Sequence, residues 1–237
     1  RYASHVLQPS LLSQQYRMVP SVAELISCLF YERRLSVENV PERPFHGLPF
    51  CVVRWSDKNF YEKQASPYPA CFEAYLAVNL QDALDQEGVR SNILTAYKDQ
   101  LAEIRKLLGD KSRACTFDSC QGSEFDVGII SPGRYGPRVG FLDCRRRACV
   151  ALSRFRFQLI LFMPENLGDE YSFWGRLRRI ASALGCLIHV DATHKTSWPS
   201  AVKKVVKFIG SNNQITPQKI ATACVPHRDF FKEYQFK

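Results

Sequence analysis

Short apolar runs alternate along this chain with longer stretches in which apolar residues recur every three or four positions. Several of the short runs lack polar–apolar alternation, which is typical of strands buried on both faces of a sheet. The predicted strands are Phe50–Trp55, Ser91–Thr95, Ala114–Asp118, Val127–Ser131, Gln158–Met163 and Cys186–Val190.

The stretches between the strands have the three-to-four-residue spacing of one helical face. The predicted helices cover Val22–Phe30, Phe72–Leu84, Leu101–Leu108, Phe173–Leu184 and Pro199–Ile209. Ser21 and Glu24 have the spacing of a capping box at the start of the first helix. The alternation of strands and helices predicts an α/β fold with a mostly parallel sheet, whose ligands bind at the carboxyl ends of the strands.

Composition limits the classes of protein to which this chain can belong, but it does not identify the function. The 237 residues carry a net charge of +9, from 32 Lys and Arg against 23 Asp and Glu, which permits a polyanionic partner. Residues 133–180 hold ten Arg, no Lys and four acids, and arginine favours forked recognition of phosphate. Nine scattered cysteines without CxxC pairs indicate a reducing compartment, so we expect an intracellular protein, cytoplasmic or nuclear. No apolar run approaches the roughly 20 residues of a membrane span, so no membrane association is expected.

The stretch "SQQYRMVP" places Tyr16 beside Arg17 just before a predicted helix. An aromatic ring can stack on a base while a neighbouring guanidinium reaches a phosphate, although the pair can also be surface packing.

Two further stretches concentrate polar chemistry around predicted strands. "DSCQGSEFD" supplies Gln121, Gly122 and Glu124 after a strand, and its alternative interpretation is a capped turn. In "CRRRACVALSRFR", a helix over 146–154 would carry Arg147 and Arg154 on one face, where packing holds an arginine more firmly than a loop does.

"ILTAYKDQ" begins inside a predicted strand and continues past its end at Thr95, whose hydroxyl could bind a backbone phosphate or cap the next helix.

In order and spacing, these four stretches resemble superfamily 1 helicases similar to the nonsense-mediated-decay helicase, specifically their second RecA-like domain. The resemblance covers roughly Leu11–Met163 and extends more loosely to Leu184. Four ordered motifs are a far more specific signal than any one of them.

The resemblance implies a RecA-like three-layer fold in residues 1–194, followed by an extension over 195–237. It further implies that ATP and Mg²⁺ lie between this domain and a first RecA-like domain of the same polypeptide. By resemblance, Tyr16 flanks the adenine, Arg17 approaches the γ-phosphate, and Arg154 is the arginine finger. Glu124 contacts the ribose or the γ-phosphate side.

The resemblance also extends to the nucleic acid, which is single-stranded RNA or DNA. Gln121 and Gly122 would couple the nucleotide to the strand, and Thr95, Ser119 and Arg147 are candidates for contacts with it. The chain contains no GxxxxGK[ST] motif and begins at Arg1, so it is interpreted as part of a longer protein and is expected to lack ATPase activity alone.

The chain also departs from the family pattern. Val19 stands where the family usually has His, Ala96 replaces Pro, and Phe155 replaces a small residue. These changes leave open a second class of function, a catalytically degenerate relative that serves as a scaffold for nucleic acid or protein. A zinc site at Cys186, His189 and His194 is a weaker alternative because it lacks a fourth ligand, so no metal site is predicted.

Overall fold

A computed structural model describes residues 13–38, 42, 45–57, 71–109, 113–134, 140–168, 172–211 and 213–224. The strands are β1 (Gln14–Gln15), β2 (Ser36–Val37), β3 (Phe50–Ser56), β4 (Ser91–Thr95), β5 (Ala114–Thr116), β6 (Phe125–Ser131), β7 (Phe155–Pro164) and β8 (Leu187–Asp191). The helices are α1 (Pro20–Phe30), α2 (Cys71–Gln86), α3 (Lys98–Leu108), α4 (Arg145–Leu152), α5 (Phe173–Ala183), α6 (Trp198–Ile209) and α7 (Pro217–Cys224).

Six of these strands form one sheet in the order β5-β4-β6-β7-β3-β8, and every pair in it is parallel. Helices α2, α3 and α6 pack together on one face, whereas α1, α5 and α7 pack together on the other. The α/β fold predicted from the sequence, with a parallel sheet between two helical layers, is confirmed. Because β6, β7 and β3 are covered on both faces, their sequences are nearly continuous apolar runs.

Strand β7 lies near the centre of the sheet and begins at Phe155, one of the positions that departs from the family pattern. The Phe155 ring is fully buried and occupies the space next to Gly128 of β6, where an added Cβ would lie 1.9 Å from the ring. The bulky residue is therefore accommodated by a glycine on the neighbouring strand.

The first helix begins differently from its prediction. Helix α1 starts at Pro20 with Val19 as its N-cap, and the cap receives no side-chain hydrogen bond. The Ser21 hydroxyl instead donates to the Ile215 carbonyl at 2.6 Å, and the Glu24 carboxylate pairs with Arg33. The predicted capping box is wrong because both of its side chains are engaged by more distant partners.

The chain after residue 194 packs closely on the rest of the protein. Val205 and Ile209 of α6 and Ile220 of α7 belong to the same apolar core as the sheet. Helix α7, in a stretch that the sequence pattern left unassigned, lies against α1. Residues 1–12 and 225–237, which belong to the predicted domain and its extension, lie outside the described residues. Within the described part of the chain, none of the helices is both long and apolar enough to cross a membrane.

Candidate functional site

The turn that carries Tyr16 and Arg17 is organised by the side chain of Gln15. The Gln15 Oε1 accepts hydrogen bonds from the backbone N–H groups of Arg17 and Met18, at 3.1 and 2.7 Å, and its Nε2 donates to the Met18 carbonyl. This closure leaves the Tyr16 side chain 55% exposed. Sequence reasoning missed Gln15, although an amide directly before the Tyr-Arg pair is a recognisable turn signal.

Val19 completes this turn, and its burial explains why an apolar residue is accommodated where the family usually has His. Its side chain is buried in the core, and its backbone N–H donates to the Arg156 carbonyl at 2.8 Å. The buried side chain and this backbone hydrogen bond together hold the turn against the start of β7.

Arg17 joins three segments that are far apart in sequence. Its Nη2 lies 2.7 Å from Glu124 Oε1, and its Nη1 donates to the Ser153 carbonyl at 3.0 Å. The backbone N–H of Phe125 donates to the Arg154 carbonyl at 2.9 Å, which ties the residues after Glu124 and Ser153 together. The structure therefore brings together Arg17, Glu124 and the backbone of Arg154.

Arg154 lies just beyond the helix that was expected to contain it. Helix α4 ends at Leu152 with Ser153 as its C-cap, so the predicted helix over 146–154 is two residues too long. The Arg154 Nε donates back to the Val150 carbonyl at 2.9 Å, and an Nη2–Ser153 Oγ distance of 3.4 Å adds a weak contact. The helix end thus holds the guanidinium through a hydrogen bond to a terminal carbonyl.

This group of residues, which we call the arginine cluster (Tyr16, Arg17, Glu124 and Arg154), lies at the amino ends of β6 and β7. Phe125 and Phe155 are the first residues of these strands and pair with each other. The expectation that all functional residues follow the carboxyl ends of strands is therefore wrong for this cluster. Glu124 and Arg154 immediately precede their strands, so they lie at the opposite edge of the sheet.

A crossing segment over 117–124 connects the two edges. Thr116 pairs with Thr95 at the carboxyl edge, whereas Phe125 begins β6 at the amino edge, so the chain between them runs across the sheet. Gln121 and Gly122 are both exposed on this segment. The φ of +85° at Gly122 is a left-handed conformation that favours glycine, although an added Cβ would meet open space.

The carboxyl edge carries an open groove of about 760 Å³ beside α3, which we call the α3 groove. It is lined by Lys98, Leu101, Ala102, Arg105, Lys106, Thr116 and Ser119. Ser119 is exposed there, and its hydroxyl exchanges hydrogen bonds with Thr116. The groove thus places three cations beside two hydroxyl groups, a combination suited to phosphate, although Lys106 is paired with Glu103 at 2.9 Å.

The other two predicted strand contacts are placed differently. Thr95 is fully buried, and its hydroxyl lies 3.5 Å from the Tyr97 N–H, so it neither lines the groove nor caps α3, whose N-cap is Tyr97. Arg147 is exposed on α4, with its Nε 3.5 Å from the Asp118 carboxylate, next to Ser119 in sequence. Of the three candidates, Ser119 and Arg147 present their side chains at the surface.

A buried carboxylate supports the same edge and was missed by sequence reasoning. Glu73 is fully buried, and its carboxylate accepts hydrogen bonds from Trp55 Nε1 at 3.0 Å, Ser131 Oγ at 2.8 Å and Gly133 N at 2.9 Å. Burial raises the pKa of Glu73 to about 7, and the three hydrogen bonds oppose that rise. The available signal was an acid inside the apolar face of a predicted helix.

The loop fixed by Glu73 leads to a further basic residue at this edge. Arg134 follows Gly133, and its guanidinium carbon lies 3.7 Å from the centre of the Tyr97 ring, a cation–π contact. Among the residues that the structure describes, no three His, Cys, Asp or Glu side chains are grouped closely enough to hold a metal ion. Cys186, His189 and His194 are therefore not brought together as a zinc site.

Comparison with known proteins decides the family. A family profile described as "AAA domain" matches residues 1–165, which is more than half of the chain. The chain belongs to this family, within the superfamily 1 helicases that resemble the nonsense-mediated-decay helicase. The resemblance predicted from the four motifs is thereby confirmed.

Individual relatives of this helicase domain agree with that assignment. It is 30% identical to the mouse "5'-3' DNA helicase ZGRF1" over 187 residues, covering 72% of this chain and 10% of that protein. It is 28% identical over 210 residues to the "Regulator of nonsense transcripts 1 homolog" of Arabidopsis thaliana, and the match covers 77% of this chain and 16% of that protein. The "ATP-dependent helicase NAM7" of Saccharomyces cerevisiae is 29% identical over 210 residues, and the match covers 76% of this chain and 21% of that protein. The chain thus spans at most about a fifth of these relatives.

Proposed function

We propose that this chain is the C-terminal motor domain of an ATP-dependent helicase, and that it supplies half of an ATP site and half of a single-strand site. The single observation that carries the proposal is the convergence of Arg17, Glu124 and Arg154 from three distant segments. A first RecA-like domain of the same polypeptide would supply the other half, including the Mg²⁺ ligands.

The arginine cluster has the side chains that a nucleoside triphosphate requires. Tyr16 presents an exposed ring for stacking on a base, while Arg17 and Arg154 present two guanidinium groups within one backbone hydrogen-bond network. Bound ATP with Mg²⁺ supplies the phosphoryl group that is transferred to water. Arg17 and Arg154 neutralise charge on the transferring phosphoryl group, and Glu124 orients the ribose.

The α3 groove is the proposed path of the nucleic-acid strand at the opposite edge. Lys98 and Lys106 would neutralise phosphates, and Ser119 would donate its hydroxyl to a phosphate oxygen. Arg147 lies beside this path through its pairing with Asp118. Phosphate contacts without base readout suit a protein that moves along a strand of any sequence.

The crossing segment would link the two sites mechanically. Ser119 lies at its strand end and Glu124 at its nucleotide end, with Gln121 and Gly122 between them. A shift of this segment when the two domains close on ATP would therefore move a strand contact.

ATP turnover by two forms of the protein tests the proposal. We expect the full-length protein to hydrolyse ATP in the presence of oligo(U) or oligo(dT), and residues 1–237 alone to show no turnover, because this sequence contains no phosphate-binding GxxxxGK[ST] loop. Purification of an Arg154→Ala variant of the full-length protein in parallel identifies contaminating ATPase. A full-length protein that binds strands but never hydrolyses ATP would instead be a scaffold.

Removing the two groove lysines tests the strand path. For Lys98→Ala/Lys106→Ala we expect weaker binding of a fluorescent oligo(U) or oligo(dT), and a log K against log [salt] slope smaller by about 1.4, because two phosphate contacts are lost. Fluorescence anisotropy over a salt series measures both quantities.

Lys203→Ala/Lys207→Ala is the matched control, since it removes the same charge from the exposed face of α6. Equal changes of slope in both double variants would mean that the binding responds only to net charge, and would remove the groove from the proposal.

A further inference from the structure

The guanidinium of Arg17 is already occupied in this structure. Its two terminal nitrogens contact Glu124 and the Ser153 carbonyl, and its Nε is buried without a hydrogen-bond partner among the described residues. The Nη2 atom, which lies 2.7 Å from Glu124 Oε1, is the nitrogen with an anionic partner. A phosphate oxygen that approaches Arg17 must therefore compete with a carboxylate for the same N–H groups.

The ion pair is accessible and weak enough to be exchanged. The side chains of Arg17 and Glu124 are 28% and 49% exposed, so solvent and a ligand can both reach them. Exposed ion pairs of this kind change an equilibrium by up to about five-fold. A phosphate group carries more negative charge than the carboxylate and offers several acceptor oxygens, so it can displace Glu124 from Arg17.

The surrounding backbone would stay in place during such an exchange. The Phe125 N–H is bonded to the Arg154 carbonyl, so the residue after Glu124 is held at the start of β6. The Ser153 carbonyl holds the other end of the Arg17 guanidinium. The Glu124 side chain can therefore rotate away while Arg17 remains beside Arg154.

We propose that Glu124 is the counter-ion that holds Arg17 in position when no nucleotide is bound, and that it gives way to phosphate when nucleotide binds. This inference rests on the proposed nucleotide site. It gives Glu124 two successive partners, first Arg17 and then the ribose. The carboxylate thus keeps Arg17 oriented and at the same time weakens the binding of a polyphosphate.

The two roles of Glu124 have opposite signs for a ligand without a ribose. Isothermal titration calorimetry of the full-length protein with Mg²⁺ and inorganic tripolyphosphate separates them, because tripolyphosphate carries no base and no ribose. We expect Glu124→Gln to bind tripolyphosphate about two- to five-fold more tightly than the wild type. The double variant Glu124→Gln/Arg17→Ala should lose this gain, since the released guanidinium is absent.

Asp126→Asn is the matched control, because this neighbouring carboxylate pairs with Arg156 at 3.3 Å and not with Arg17. It removes the same charge two residues away, and we expect its tripolyphosphate affinity to equal that of the wild type. Equal or weaker tripolyphosphate binding by Glu124→Gln, in a protein that still binds ATP, would overturn the exchange. Tighter binding by Asp126→Asn to the same extent would reduce the effect to net charge and would overturn it as well. A wild-type protein that binds neither tripolyphosphate nor ATP would instead contradict the proposed nucleotide site.

Discussion

Replacing Arg154 with alanine in the full-length protein is expected to lower ATP turnover by about 10³-fold or more while the domain remains folded. Phosphoryl transfer depends on positioned positive charge, and a guanidinium supplied by a closing domain contributes a large share of it. The loss should appear in kcat, because the charge on the phosphoryl oxygens is greatest in the transition state.

The structure indicates why this substitution leaves the fold intact. Among the described residues, the Arg154 side chain makes its hydrogen bonds to its own helix end, through the Val150 carbonyl and the Ser153 hydroxyl, whereas the structural tie to β6 is made by its backbone carbonyl. Alanine preserves that backbone bond. Circular dichroism and thermal unfolding of the variant should therefore match the wild type within a few degrees.

Two companion variants sharpen the interpretation. Arg154→Lys keeps the charge but loses the planar fork, so its turnover should fall between those of the wild type and the alanine variant. Arg156→Ala removes a guanidinium two residues away that pairs with Asp126, and it should keep most of the wild-type turnover. Near-normal turnover by a folded Arg154→Ala protein would exclude Arg154 as the arginine finger.

The strands were predictable where the chain is buried on both faces. Ser91–Thr95 was predicted and forms β4 with the same ends. Most of its residues are buried, so the strand is visible in the sequence as a short apolar run. The amino ends of β6 and β7 were missed. There Asp126 and Arg156 point away from the core and pair with each other, and these polar residues interrupt the apolar run that marks the rest of each strand.

The sequence indicated which residues belong to the candidate site, but it did not predict at which edge of the sheet they lie. Arg17 contacts Glu124 and Ser153, which are more than a hundred positions away in sequence, and no local pattern encodes such contacts. The position of the cluster at the amino edge depends on the crossing segment turning back across the sheet, which the rule for carboxyl-end ligands does not consider. The family motifs supplied these residues as candidates, because a motif specifies residue types at fixed positions and periodicity does not.

Glu73 shows a different limit, because the sequence places an acid on an apolar helical face but does not identify the hydrogen-bond partners of that acid. Its carboxylate is bonded by Trp55, Ser131 and Gly133, and Gln100 extends the network by donating to the Ser131 hydroxyl at 2.9 Å. These residues come from β3, α3 and the end of β6. One carboxylate therefore connects both sides of β7 at the edge where the α3 groove lies.

The raised pKa of Glu73 predicts that its contribution to stability depends on pH. Because burial raises the pKa from 4.5 to about 7, the folded protein retains a proton that the unfolded chain releases between these values. The contribution is fully present below pH 4.5 and is lost as the pH rises through about 7. A pKa difference of this size corresponds to about 3 kcal/mol of the free energy of unfolding.

Comparison with Glu73→Gln isolates this contribution, because glutamine has nearly the same shape and does not titrate. Urea unfolding of both proteins from pH 5 to pH 8 should show the free energy of unfolding of the wild type falling by about 2.5 kcal/mol relative to that of the variant, because part of the contribution is already lost at pH 5. One amide hydrogen of the introduced glutamine would face the Trp55 N–H, so the variant is expected to be less stable than the wild type at pH 5. Glu73→Gln/Trp55→Phe removes this donor–donor contact and should recover part of the loss while keeping the flat profile.

Glu87→Gln, at an exposed position just after α2, is the control and should retain the wild-type dependence on pH. Wild type and Glu73→Gln that differ by the same free energy at pH 5 and pH 8 would contradict the prediction, because a constant difference means that Glu73 does not titrate in this range. The expected result would instead mean that the hydrogen-bond network of Glu73, at the same edge of the sheet as the α3 groove, contains a carboxyl group that changes its charge near neutral pH. Protonation of that group removes an acceptor from Trp55, Ser131 or Gly133, so acidification stabilises the fold as a whole while it weakens this particular network.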